Sequence, residues 1–227
     1  MKIMQRAAIC SAAVLLASLA ANAQMGGMRG GGAPTMRGVW HPVVGNGAAY
    51  EMQTKDAAKS GIEYAVVGKE SVNGQDGIWL EMTMNSPQMG GDIVMKMLTV
   101  ISGTNTQTTR MIMQMPGRPP MEMPAQMTQM HSKAQPTDIR TTSEDVGAET
   151  ITVPAGTFPC EHFRMKDGSG DVWVTDKVSP WGMVKYQGKD TTMVLTKVIT
   201  DAKDKITGTP VPFDPMKMMQ QSAPQQP

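Results

Sequence analysis

The chain has 227 residues, 18% of them charged and 4% aromatic, with 21 basic against 20 acidic side chains, 24 methionines and two cysteines. A charge balance this even supplies no field for nucleic acid or an anionic surface, and so few cysteines exclude a disulfide-framed scaffold. At this length one domain with a sizeable core is expected.

Lys2 and Arg6 precede an apolar run over residues 7–20, and Ala21-Asn22-Ala23 then supplies the small-x-small pattern read by signal peptidase. Residues 1–23 are expected to be a cleaved signal peptide, so the chain is periplasmic or secreted. With Lys2 and Arg6 gone, the 20 acids outnumber the remaining bases by one. Cys10 falls inside the apolar run rather than behind it, the wrong place for a lipid-anchoring cysteine. Its removal leaves Cys160 with no intramolecular partner. The run is too short to cross a bilayer and no later stretch approaches eighteen apolar residues, so no membrane span is expected.

Residues 24–38 are rich in glycine and methionine without a period, and residues 207–227 are rich in proline, glutamine and methionine. Both are expected to be disordered, leaving a folded domain over residues 39–206. Within it no helical period of any length occurs. Short runs of β-branched, methionine and aromatic residues alternate with turn residues, which predicts strands at 48–54, 62–69, 77–84, 93–101, 108–115, 149–153, 157–165, 171–175, 182–187 and 191–200. Asn73-Gly74, Ser102-Gly103-Thr104-Asn105, Asp167-Gly168-Ser169-Gly170 and Gln187-Gly188-Lys189-Asp190 are compact turns that favour antiparallel hairpins, hence a meander.

Alternation marks which faces are wet. In residues 92–101 the set Ile93, Met95, Met97, Thr99, Ile101 is apolar, and so is most of the opposing set Val94, Lys96, Leu98, Val100. Residues 191–200 place Met193 and Leu195 opposite Val194 and Val198. A strand apolar on both faces is covered on both, or lines a hollow.

The interval 115–148 is too long for a hairpin loop. Its prolines at 116, 119, 120 and 124 oppose regular pairing. From Pro124 a short helix is expected, with Met127, Met130 and Ala134 on one stripe. This methionine- and proline-rich interval is the expected lid, because an unbranched thioether adapts to varied ligand shapes.

Residues 149–198, "ETITVPAGTFPCEHFRMKDGSGDVWVTDKVSPWGMVKYQGKDTTMVLTKV", carry a V-P-A-G-T-F turn, a cysteine strand, a tryptophan strand and a Gly-hydrophobic-Val-Lys strand. This block resembles the exported bacterial domain-of-unknown-function family 4412, or its relative 3108. More distantly it is similar to the LolA and LolB lipoprotein carriers, whose incomplete barrel encloses an apolar cavity. The resemblance implies a LolA-like half-open barrel and no catalytic residues.

Read residue by residue, Pro154 and Gly156 suit a chain reversal. Phe158, Cys160 and His162 fall on one strand face and Glu161 and Phe163 on the other. Trp173 points away from Val172 and Val174. Cys160 reads as a small buried hydrophobe.

The expected architecture is all-β to α+β: a single curved antiparallel sheet of about ten strands with a short helix or loop lid over 115–148. The expected function is non-enzymatic. No nucleophile elbow, zinc-protease helix, phosphate loop or dinucleotide turn occurs, and the only histidines are His41, His131 and His162. An apolar ligand, a lipid, acyl chain or lipoprotein, is expected against Met95, Met97, Ile112, Met113, Met127, Met130, Val194 and Leu195, with no cofactor. The alternative is a soft-metal site for copper, drawn from Met121, Met123, Met127, Met130, His131, Cys160 and His162. A cell-envelope interaction module without a small ligand is the third reading.

Overall fold

The computed structural model describes residues 36–37, 40–55, 58–102, 105–132 and 137–214. The expected signal peptide, the start of the glycine-rich segment, Ala134 and residues 215–227 lie outside them.

In chain order the elements are β1 (Met36–Arg37), β2 (Gly47–Thr54), β3 (Ser60–Val72), β4 (Gln75–Ser86), β5 (Gly91–Ser102), β6 (Asn105–Gln114), β7 (Met121–Glu122), α1 (Ala125–Ser132), β8 (Thr137–Asp138), α2 (Ile139–Thr142), β9 (Ser143–Val153), β10 (Gly156–Met165), β11 (Gly170–Val174), β12 (Met183–Gly188), β13 (Thr191–Ile199) and β14 (Val211–Pro212). All ten expected strands are present. A twelve-stranded open sheet runs β14-β7-β6-β5-β4-β3-β2-β13-β12-β11-β10-β9, with β1 and β8 pairing separately. Two meanders, β2 to β7 and β9 to β13, are therefore joined where the antiparallel β2 and β13 pair.

The hairpins follow from local chemistry. Asn73 and Gly74 both take positive φ, 51° and 78°, the requirement of a two-residue turn that matches strand twist. Gly156 at φ 134° reverses the chain between β9 and β10. Proline at 119, 120 and 124 confines β7 to two residues, but Met121 and Glu122 still pair with Met113 and Ile112.

Register assigns the side chains to faces. Rows of directly opposed residues put Tyr50, Ile62, Met84 and Ile93 on one face, called the first face, together with Tyr64, Met82, Met95, Met113 and Met121. The second face carries Trp79, Glu81, Lys96, Leu98 and Ile112. Among the irregularities of register, bulges at Val67, Thr109 and Thr196 shift the alternation in the strands from β2 to β6 and in β13. The last returns Val198 to the face of Leu195, a correction to the simple alternation that set Val198 opposite. Thr196 itself donates its hydroxyl to the Ala49 carbonyl at 3.0 Å.

Strand β4 is buried on both faces from Gly77 to Thr83, as its neighbour's double apolar pattern requires. On the second face the cover is the chain after β13. Ile206 packs on Trp79, Leu98 and Ile112, Lys205 N–H donates to Glu81, and Thr207 and Gln114 exchange hydrogen bonds at 2.9 and 3.0 Å. The described chain thus continues past Ile206, and β14 runs parallel to β7. On the first face, the loop after β11 brings Trp181 edge-on to Tyr64 and against Trp40, while the Tyr50 hydroxyl donates to the Met183 carbonyl at 2.9 Å.

Candidate functional site

The first face carries the densest set of thioethers. Met82, Met95, Met113 and Met121 oppose one another on four adjacent strands, β4 to β7, and Tyr64 of β3 begins the same row. The next row holds Val66, Leu80, Met97 and Met111, and the Met123 N–H donates to the Met111 carbonyl. Opposed Cβ atoms in such ladders stand about 5 Å apart, so the thioethers form continuous strips. Met82, Met111, Met121 and Met123 are buried, whereas Met95, Met97 and Met113 are partly covered. Beside them a groove of about 210 Å³ is lined by Met52, Ile62, Met84 and Ile93, with Ser60, Asn85 and Ser86.

The expected lining set divides. Met95, Met97, Met113 and Leu195 share the first face, and Leu195 is fully buried opposite Tyr50. Ile112 lies opposite Lys96 and packs on Trp79, so it belongs to the second face. Val194 opposes Lys185 and Glu51 and is there too.

Helix α1 packs against β6. Pro124 precedes it, and its carbonyl accepts the N–H groups of Met127 and Thr128. The buried residue of the first turn is Thr128, whereas Met127 is 41% exposed. The side chains of Met130 and His131 lie outside the description.

The residues of the copper alternative are dispersed. Met121 and Met123 belong to β7, Cys160 and His162 to β10, and eight strands separate the two in the sheet. Among the described residues no cluster of three or more His, Cys, Asp or Glu side chains is placed to hold a metal. Cys160 is buried, and burial followed by the nearby Glu149 pushes its thiol up to about 11. His162 is occupied structurally: its ring stacks on Trp173 at 4.4 Å and its Nε2 lies 2.8 Å from Asp171. Trp173 Nε1 donates to Glu149 at 2.7 Å, and Lys185 Nζ sits 4.7 Å from the Trp173 ring. This is a surface polar ladder that orders β9 to β12.

Glu81 was not singled out by the sequence, because nothing local marks a β4 acid as buried. It is 1% exposed, and burial pushes its carboxyl up to about 7, with Asp204 adding to the rise and the Lys205 N–H opposing it. The methionine rows also escaped sequence reading, since strand alternation gives faces but not which residues stand opposite.

Among the described residues no helix is long and apolar enough to cross a membrane. The family model of DUF4412, a domain of unknown function, matches residues 51–226, the first of the two families that residues 149–198 resemble. A solved structure of a candidate lipoprotein from Parabacteroides distasonis shares 15% identity with a TM-score of 0.35, over 70% of this chain and 97% of that one. A candidate exported protein with a YmcC-like fold from Bacteroides fragilis shares 14% identity with a TM-score of 0.34, over 70% and 98%. No curated protein matches.

Proposed function

The chain belongs to the DUF4412 family, whose domain has no established function, and we propose that it is an exported, non-enzymatic binding protein that holds an apolar chain against its methionine rows. The observation that carries this reading is the partly covered strip Met95, Met97 and Met113, flanked on the same face by buried Met82, Met111 and Met121. Leaving three large apolar side chains incompletely covered side by side costs solvation energy, which an apolar occupant recovers at about 25 cal/mol per Å² covered. Flexible thioethers mould to a chain of variable shape. The groove beside them supports the same reading and accommodates a short length of acyl chain. Export rests on the N-terminal pattern of residues 1–23.

Native mass spectrometry of protein purified from its own host tests this directly. A co-purifying lipid or acyl mass supports it; bare protein that also fails to bind an apolar fluorophore such as diphenylhexatriene overturns it.

One observation favours a second reading. The row Met82, Met95, Met113, Met121 sets four soft donors in register, a donor type that selects cuprous ion. A copper mass in the same experiment, lost on chelation, would decide for it.

A further inference from the structure

Two buried donors lie where the first methionine row ends. Tyr64 is 1% exposed and Trp181 8%, and their rings meet edge-on with centroids 6.1 Å apart. Neither the Tyr64 hydroxyl nor Trp181 Nε1 has a hydrogen-bond acceptor among the described residues. The neighbouring Tyr50, equally buried, does have one, the Met183 carbonyl. A donor left unmatched in a dry interior is costly, and each of these two calls for an acceptor.

The position of these donors specifies the acceptor. Tyr64 opposes Met82, which opposes Met95. Ile62 and Met84, walls of the groove, are each two residues along the same strand face, roughly 7 Å away. Burial raises the Tyr64 phenol well above its ordinary range, so it remains a neutral donor. Among the described residues no cationic side chain stacks on either ring, and a carboxylate brought here would be buried without a counter-charge. An uncharged carbonyl meets no such penalty.

We propose, building on the apolar-chain reading, that Tyr64 and Trp181 form the polar end of the first methionine row, beside the groove, and receive the carbonyl of an acyl ester or amide whose hydrocarbon lies along Met82 and Met95. The ligand class is thereby narrowed from any apolar molecule to an acylated one.

Displacement of diphenylhexatriene from the full chain at pH 8 by methyl laurate, laurate or dodecane tests the assignment. Methyl laurate should compete at about ten-fold lower concentration than dodecane, the worth of one to two neutral hydrogen bonds, and ionised laurate should be weakest. Tyr64→Phe, which keeps the ring, should retain the fluorophore and lose the ester preference; Trp181→Phe should do the same, and if it fails to fold Tyr64→Phe alone decides. Fluorophore binding with equal competition by ester and hydrocarbon, or an ester preference that survives in Tyr64→Phe, overturns the carbonyl assignment and leaves the donors to a buried water. No fluorophore binding at all overturns the apolar-chain reading as well.

Discussion

One carboxyl oxygen of Glu81 accepts the backbone N–H of Lys205 at 3.0 Å, joining β4 to the chain after β13 across 124 positions of sequence. Around this contact Lys96 pairs with Asp204, and Lys205 Nζ reaches Glu63 at 2.6 Å and Thr83 at 3.2 Å. The other Glu81 oxygen has no partner among the described residues. Burial first, and then Asp204, favours the protonated form, raising the group from 4.5 to about 7. A group raised on folding stabilises fully below its unfolded value and loses that contribution as pH climbs through the folded value. Stability should therefore fall between about pH 4.5 and 7, by on the order of 3 kcal/mol. Asp204, held low chiefly by Lys96 against its own burial, acts in the opposite sense below about pH 4. Glu81→Gln should flatten the upper limb and spare the lower one. Urea midpoints measured across this range in both proteins check it, and an unchanged upper limb in the variant removes Glu81 as the cause.

The strands were legible because their signals are local. Asn73-Gly74 announces its own turn geometry, and the run of β5, apolar on both faces, declares a sheet covered on both sides. The DUF4412 relationship was likewise legible, in residues 149–198. What joins distant parts was not. Ile112 and Met113 are adjacent and equally apolar, so alternation sets them on opposite faces, but only the pairing with Lys96 and Met95 shows which face each serves. Bulges at Val67, Thr109 and Thr196 each shift the period-two pattern without a residue type that demands it. The strap over Trp79 depends on Ile206 and Lys205, whose neighbours in sequence read as an ordinary polar tail.

The second-face core should be sensitive to single deletions. Leu98 is fully buried between Trp79 and Ile112, so Leu98→Ala removes packing and leaves a cavity, at an expected cost of about 2–5 kcal/mol. Gly47 tests the β2–β3 pairing by the opposite change. A Cβ there would stand 2.4 Å from the Tyr64 carbonyl oxygen, a clash with backbone that side-chain motion does not relieve. Gly47→Ala should cost about 1–3 kcal/mol through strain and displace Tyr64. Chemical denaturation quantifies both, and a Gly47→Ala protein of unchanged midpoint would contradict the register.

Cys160 should behave as an inert core thiol. Its burial and its rise to about 11 leave little thiolate at pH 8. Iodoacetamide should label the folded protein at least ten-fold more slowly than the urea-unfolded chain. Labelling at equal rates would place the thiol in solvent and reopen the copper alternative at Cys160 and His162.

The methionine rows allow apolar and soft-metal occupancy to be separated by two conservative changes. Leucine nearly matches methionine in volume and lacks only the sulfur, and such swaps cost under about 1.5 kcal/mol. Met95 and Met113 are partly covered and directly opposed on the first face, so Met95→Leu with Met113→Leu keeps the greasy strip and deletes two central donors of the four. Affinity for an acyl probe should change less than about three-fold in this variant. Met95→Glu, which sets a charge between Met82 and Met113, should weaken the same probe by about ten-fold or more, because the occupant must then desolvate a carboxylate. The reverse pattern, with cuprous binding abolished by the two leucines and acyl binding absent throughout, would show that sulfur rather than apolar surface is what the rows present. Isothermal titration with a short acyl ester and with a cuprous complex, on the wild type and both variants, distinguishes the two.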